Sequence, residues 1–133
     1  MAQHLGALAL LVRDYDEALT WYTGKLGFLV TADTPLGEGK RWLTLAPPGG
    51  QTQLLLAQAS TSEQAAQIGR QAGGRVFLFL HTDDFWRDHA AYVAAGVTFL
   101  EEPRREAYGT VAVFADLYGN KWDLLERAAL PPI

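Results

Sequence analysis

The pattern of apolar and polar residues divides the chain into short strands and two amphipathic helices. An apolar run at 6–12 has the length of a strand and ends just before Asp14. Apolar residues then recur at helical intervals, and Gly27 is predicted to end that helix, which Asp14 caps. The same order begins again near residue 75 and reaches a second helix stop at Gly96. The chain is therefore predicted to consist of two similar halves.

The other apolar segments alternate with turn residues and are predicted to be strands. These strands are expected at 28–32, 41–46 and 52–57 in the first half, and at 75–80, 98–100, 110–115 and 121–126 in the second. The Gly- and Pro-containing stretch 33–40 and the charged stretch 101–107 are predicted to be connections without regular structure. A short helix is expected within 62–70.

Matching residues in the two halves are separated by a constant distance along the chain. Three pairs are each 69 positions apart: Asp14 and Asp83, Gly27 and Gly96, and Gly50 and Gly119. This regularity indicates an internal repeat of two βαβββ modules, at 1–57 and 75–133, joined by a linker at 58–74 in one compact domain. One module alone leaves a sheet face exposed, so the two are expected to form a curved mixed sheet around a ligand-binding cleft.

Composition narrows the functional classes. The chain has 133 residues, of which 49% are hydrophobic, and a net charge of -4 with no basic cluster, which argues against nucleic-acid binding. It contains no Cys, which excludes disulfides and thiolate metal sites. The longest early apolar run is too short to cross a bilayer, and no signal peptide is recognisable. A cytoplasmic location is expected.

Motifs at both ends of the chain carry a family resemblance. In the first half they are Val12-Arg13-Asp14, Ala18, Trp21-Tyr22 and Leu26-Gly27-Phe28, and in the second they are Gly109, Ala112, Phe114, Asp116, Gly119-Asn120, Trp122 and Leu124. With them the chain resembles the vicinal oxygen chelate superfamily, also called the glyoxalase, bleomycin-resistance and extradiol dioxygenase superfamily. The resemblance implies an α+β fold of two tandem βαβββ modules around a cleft, usually in a homodimer.

The resemblance also implies where a metal would bind. In the enzymatic members, His or carboxylate ligands from the first and last strand of each module hold a divalent ion. Carried over by position, these ligands fall on Ala7 and Leu54 in the first module, and on Phe77, give or take a residue, and Asp123 in the second. Since Asp123 alone of these four has a donor atom, we predict no metal and no other cofactor.

Other residues could restore a ligand set only from unfavourable positions. His4 lies at an odd offset from Ala7, which places it on the opposite face of a strand. His81 shares the face of Phe77 but stands at the end of its strand, and His89 lies on the inner stripe of a helix. Gln53 could replace Leu54 if the strand register slipped by one, and Glu126 is expected to face away from Asp123.

These observations favour a protein that binds an unidentified small molecule in its cleft without a metal. The alternative is a metal-dependent lyase or dioxygenase with a displaced ligand set, and whether the protein is an enzyme is left open. Aromatic, Arg and carboxylate side chains can hold planar or anionic ligands. The predicted ligand-binding residues are Arg41, Trp42, Phe77, Tyr108 and Asp123. Asp123 could also act as a general base or serve as a hydrogen-bonded structural carboxylate, and strand parity allows Trp122 to face away from it.

Overall fold

The structure is a computed structural model that describes residues 1–129. It divides into two compact units, the first at Met1–Ile68 and the second beginning at Gly69. Each unit contains one mixed sheet, of four strands in the first and five in the second. This confirms the predicted α+β class, while 130–133, the end of the predicted second module, lie outside the described residues. None of the helices in residues 1–129 has the length and apolar character that crossing a membrane requires.

The first unit packs a long helix against its four-stranded sheet. In the order β1-β4-β3-β2, β1 runs parallel to β4 and the other neighbours are antiparallel. The elements are β1 (Ala7–Val12), α1 (Tyr15–Leu26), β2 (Leu29–Gly37), β3 (Lys40–Ala46), β4 (Gln53–Gln58) and α2 (Ser62–Ala66).

Local signals set both ends of α1 where the sequence predicts them. The Asp14 carboxylate accepts a hydrogen bond from the backbone N–H of Glu17 at 2.8 Å, which satisfies one open donor of the first turn. Gly27 ends the helix in the left-handed conformation, with φ 71°. Tyr22 and Leu26 are buried, so the apolar stripe of α1 forms part of the core of this unit.

Strand β2 is longer than the sequence predicts. The stretch 33–40, expected to be an irregular connection, continues β2 to Gly37 and turns through Glu38 and Gly39 into β3. Both turn residues have positive φ, 56° and 80°. Pro35 does not break the strand because β2 is at the edge of the sheet, where a missing N–H is tolerated.

The second unit repeats the helix-on-sheet arrangement with one additional strand. Its sheet has the order β5-β9-β8-β6, with β7 also paired to β8. The elements are β5 (Val76–His81), α3 (Phe85–Ala95), β6 (Thr98–Phe99), β7 (Arg104–Glu106), β8 (Gly109–Ala115) and β9 (Lys121–Arg127).

The constant offset of 69 holds at the helix ends but not at the helix starts. Asp84, not Asp83, caps α3 and accepts from the Arg87 N–H at 3.1 Å, so the capping residues are 70 positions apart. Helix α3 has 11 residues where α1 has 12, and this difference brings the offset of the terminating glycines, Gly27 and Gly96, back to 69. The two units therefore share the order strand, capped helix and further strands, while the spacing between equivalent residues varies by one position.

The charged stretch 101–107 is likewise more regular than predicted, because it contains β7. This three-residue strand pairs antiparallel with the start of β8, with Glu106 opposite Gly109. Gly109 is required there because a Cβ atom at this position would lie 2.1 Å from the carbonyl oxygen of Glu126. All three residues of β7 are charged, so this strand places charged side chains at the edge of the sheet.

Candidate functional site

One hydrogen bond in each unit identifies which face of the sheet the long helix covers. Gln58 Oε1 accepts from the Tyr15 N–H at 3.2 Å, and Glu126 Oε1 accepts from the Phe85 N–H at 2.7 Å. Both side chains therefore point toward the first turn of their helix. We call the opposite face of each sheet the distal face. Because side chains alternate along a strand, Asp123, three residues before Glu126, lies on the distal face of the second sheet.

The same reasoning corrects the predicted metal-ligand position in β4. Leu54, four residues before Gln58, lies on the helix-covered face and is 7% exposed. The residue equivalent to Asp123 is Leu55, three residues before Gln58. The equivalence fails at an offset of 69 because Gln58 and Glu126 are 68 positions apart, and a shift of one residue exchanges the faces of a strand.

Register gives the corresponding positions on the first strand of each unit. Ala9 is paired with Leu55, and Phe79 is paired with Asp123. The predicted Ala7, two residues before Ala9, is paired with Gln53, and the predicted Phe77 lies in a register irregularity of β5 between Val76 and Leu78. Of the corrected set, Asp123 again is the residue with a donor atom.

The side chains at these positions do not fit the divalent metal that the family resemblance implies. Ala9, Leu55 and Phe79 offer no ligand, and a lone carboxylate holds a hydrated divalent cation only weakly. Within residues 1–129, no three His, Cys, Asp or Glu side chains gather as a metal site would require.

The histidines do not supply the missing ligands. His4 and His81 are exposed, and His81 is the last residue of β5. His89 lies among aromatic rings, with centroid distances of 5.4 Å to Phe85 and 4.4 Å to Phe99. Its position in this aromatic cluster agrees with the prediction that it is a packed residue of α3.

Asp123 is a buried carboxylate with an open hydrogen-bonding site. It is 8% exposed, and its Oδ1 atom has no hydrogen-bond partner in the described part of the chain. Burial raises the pKa of Asp123, the charge of Arg104 opposes this rise, and that of Glu101 adds to it. Buried polar atoms are nearly always paired, so an unpaired one on a sheet face is a candidate ligand contact.

Arg104 brings positive charge to the same face of the second sheet. It lies opposite Val111, and Val113, on the same face of β8, lies opposite Asp123. The Arg104 guanidinium is held in place by three hydrogen bonds: its Nε donates to Glu101 at 3.0 Å, and its Nη1 donates to Glu106 at 3.0 Å and to the Tyr108 hydroxyl at 3.1 Å.

Two exposed rings complete this set. Phe79, beside Asp123, is 59% exposed, and Tyr108, in the turn between β7 and β8, is 43% exposed. An exposed aromatic ring beside polar groups is a candidate contact for a ligand, because the ligand can cover its apolar surface. We call Phe79, Tyr108, Arg104 and Asp123 the distal-face site.

The neighbouring residues Arg41 and Trp42 lie on opposite faces of the first sheet. The Arg41 side chain is on the helix-covered face, where it is ion-paired at 2.8 Å with Asp16 and at 2.8 Å with Asp33 and sits 5.2 Å above the Tyr15 ring. Trp42 is on the distal face and is 46% exposed. Arg41 thus has a structural set of partners, whereas Trp42 has a ring free to cover a ligand.

Arg104 and Phe79 are not among the candidates that the sequence indicates, for two different reasons. Arg104 belongs to a stretch that was predicted to be an irregular connection. The available signal was the spacing of Arg104 and Glu106, which are two residues apart, as are residues on one face of a strand. For Phe79, counting from the sequence leads to Phe77, and the register irregularity around Phe77 cannot be located from the apolar run 76–80.

The raised pKa of Asp123 leads to a prediction about stability and pH. Because the folded protein holds this proton more tightly than the unfolded chain does, Asp123 lowers the free energy of unfolding as the pH rises above about 4, the pKa of an unfolded Asp. Asp33 and Asp88 have lowered pKa values and act in the opposite direction, so the comparison must be made against a variant.

We expect Asp123→Asn to be more stable than the parent protein by about 1 kcal/mol at pH 8, the scale of an uncompensated buried polar group. The advantage should shrink as the pH falls toward 3, where both side chains are neutral. Urea unfolding at several pH values measures it. A difference in stability that does not change with pH would contradict the assigned protonation behaviour.

Comparison with known proteins places this geometry in context. The family model described as the Glyoxalase/Bleomycin resistance protein/Dioxygenase superfamily matches residues 4–124. An uncharacterized protein of Shewanella frigidimarina (strain NCIMB 400) is 53% identical over 135 residues, covering 100% of both chains. The crystal structure of UcmS2 is 32% identical with a TM-score of 0.81, covering 94% of this chain and 98% of its own. TnmS3, an antibiotic binding protein from Streptomyces sp. CB03234, is 30% identical with a TM-score of 0.77, covering 96% of this chain and 98% of its own.

Proposed function

Since the chain belongs to the glyoxalase, bleomycin resistance protein and dioxygenase superfamily, we propose that it binds a planar, anionic or strongly polar small molecule without a metal. The observation that carries this proposal is the unpaired, buried Oδ1 atom of Asp123 on the distal face of the second sheet. The description of TnmS3 as an antibiotic binding protein supports the same class of function.

The chemistry of the distal-face site determines the proposed kind of ligand. Exposed Phe79 and Tyr108 favour a flat, partly apolar ring system, because such a ligand replaces water on both rings. Arg104 favours an anionic or strongly accepting group, since a guanidinium held by its neighbours loses little freedom on binding. Asp123 accepts a hydrogen bond from the ligand when ionised and donates one when protonated.

A metal-dependent lyase or dioxygenase is the less favoured function. Such chemistry needs an ion held by several protein ligands, and only Asp123 among the four equivalent positions offers one. We therefore assign the distal-face site to binding.

A calorimetric titration tests the proposal with anthraquinone-2-sulfonate, a planar aromatic anion, as the probe. We expect one site per chain. Tyr108→Ala should weaken binding by about fivefold or more, which is the usual effect of losing an aromatic contact in a formed site. Trp86→Ala removes a ring that is more exposed than Tyr108 from α3, on the other side of the sheet, and should leave the affinity unchanged. No binding by the parent protein, or equal losses in the two variants, would contradict the proposal.

Two further expectations from the sequence stay predictions. A homodimer would cover exposed apolar residues of the edge strand β2, such as Leu29 and Leu36, which are 57% and 59% exposed. The cytoplasmic location rests on the absence of Cys from a chain of this composition.

A further inference from the structure

A groove in the second unit runs between α3 and the connection from β6 to β7. His89 and Val93, four residues apart on one side of α3, form one wall, and residues 99–103 form the other. The groove has a volume of about 530 Å³. Sites for small molecules have volumes of about 300–1,000 Å³, so this groove is large enough to hold one.

The groove lies on the helix-covered face of the second sheet. Phe99 is paired with Phe114, and the two rings are 5.7 Å apart. Phe114 is the neighbour of Val113, which lies opposite Asp123 on the distal face, so Phe114 and Phe99 point the other way. The groove is therefore separate from the distal-face site.

Hydrogen bonds to one residue of β8 hold the wall formed by 99–103 in place. The Leu100 N–H donates to the carbonyl oxygen of Val113 at 2.8 Å, and the Val113 N–H donates to the Glu101 carboxylate at 3.1 Å. Glu101 also accepts from Arg104 Nε at 3.0 Å, so its charge is paired. A wall that is already fixed needs little further ordering when a ligand binds.

The surface of the groove is mainly apolar and partly aromatic. The His89 ring contacts the half-buried Phe99 ring at a centroid distance of 4.4 Å, which fixes both rings. Val93 and Leu100, on opposite walls, are 54% and 49% exposed. A ligand with an apolar body would remove these side chains from water, which favours its binding.

Glu102 adds a carboxylate that is available to a ligand. Its side chain lines the groove, is exposed, and has no hydrogen bond or ion pair with another residue in the described part of the chain. Arg104 directs its hydrogen bonds to Glu101, Glu106 and Tyr108 instead. A carboxylate and the face of an aromatic ring both attract a cation.

We propose that this groove is a second binding site, which takes a small aromatic ammonium ion. The apolar body of the ligand packs between Val93 and Leu100, and its ammonium group lies between the Glu102 carboxylate and the Phe99 ring. The site does not depend on the proposed function, because it shares no residue with the distal-face site and selects the opposite charge.

Two probes that differ in charge test this site. The 2-phenylethylammonium ion and 2-phenylethanol share the ring and the ethyl chain, and only the first carries a positive charge at pH 7. Titrations followed by the amide signals in NMR spectra give both dissociation constants and locate the binding. We expect shifts at 99–103 with both probes and an affinity about fivefold higher for the ammonium ion, the scale of an exposed ion pair with a cation–π contact.

Glu102→Gln is the decisive variant because it keeps the size of the side chain and removes its charge. It should abolish the preference for the ammonium ion and leave the affinity for 2-phenylethanol unchanged. Glu63→Gln, at an exposed position of α2 in the first unit, changes the net charge equally and should keep the preference. Leu100→Ala should weaken both probes by the same factor, about twofold, because the apolar body is common to both. The NMR spectrum of each variant verifies that it is folded.

The outcomes separate this site from the proposed function. Equal affinities of the parent protein for the two probes, or no shifts at 99–103 with either, would overturn the ammonium site. A preference that survives in Glu102→Gln would also overturn it, since the charge would then be recognised elsewhere. None of these results concerns the binding of anthraquinone-2-sulfonate at the distal-face site, which its own titration tests.

Discussion

Replacing Asp116 with Ala is expected to lower the free energy of unfolding by about 3–5 kcal/mol, the range for breaking a buried charged hydrogen-bond network. Asp116 is 6% exposed and lies in the turn between β8 and β9. Its Oδ1 atom accepts from the backbone N–H groups of Tyr118 at 3.0 Å and Asn120 at 2.9 Å. Its Oδ2 atom accepts from the Asn120 side chain at 2.9 Å and the Trp122 indole at 3.1 Å.

The large effect follows from what remains after the substitution. Asn120 and Trp122 are each 3% exposed, so the hydrogen bonds that they lose with Asp116 could not be replaced by bonds to bulk water. Trp122 also stacks on Phe114 at 5.8 Å in the core, which prevents it from turning its indole to water. The turn thus holds β9 in register, and β9 carries Asp123.

Urea unfolding measures this prediction, with Asp116→Asn as the matched control. Asn keeps the size and one acceptor oxygen, so it should cost clearly less than Ala. Losses below about 1 kcal/mol for Ala would mean that the network does not hold the turn.

Replacing Arg104 with Met is expected to weaken binding of anthraquinone-2-sulfonate by about 30-fold, which corresponds to a charged hydrogen bond of about 2 kcal/mol. The substitution removes the positive charge of the distal-face site and leaves Glu101, Glu106 and Asp123 as uncompensated negative groups. It should also raise the pKa of Asp123 further, because the charge of Arg104 lowers it in the parent protein.

The adjacent Arg105 provides the control for Arg104. It is exposed and, one residue along β7, points to the other face of the strand. Arg105→Met changes the net charge by the same amount and should leave the affinity within about twofold, since distant exposed charges are screened by salt. Equal losses in both variants would show that the protein attracts the anion through its overall charge instead of a site.

The elements that the sequence predicts well are those with local signals. Helix α1 begins after Asp14 and ends at Gly27. The capping carboxylate and the left-handed glycine each determine the structure of the adjacent helical turn, so they can be recognised from a few neighbouring residues. The hairpin of β8 and β9 follows in the same way from the Asp116 turn.

The errors arose where pairing with a neighbouring strand decides the structure. Strand β7 forms because it pairs with β8. Its three residues are too few to show the alternation of apolar and polar residues that predicts a strand. Leu54 was assigned to the wrong face because the repeat offset changes from 70 at the helix starts to 68 at Gln58 and Glu126. One residue decides which face of a strand a side chain occupies, so a site carried over by arithmetic needs the observed register.

The most direct measurement is a calorimetric titration of the purified protein with anthraquinone-2-sulfonate before and after treatment with EDTA, together with elemental analysis of the same sample. Because Asp123 is the single donor among the four equivalent positions, we expect the same affinity and stoichiometry in both titrations and no stoichiometric divalent metal. Binding that is lost with EDTA and restored by Zn²⁺ or Mn²⁺, with one equivalent of metal per chain, would contradict metal-free binding at the distal-face site.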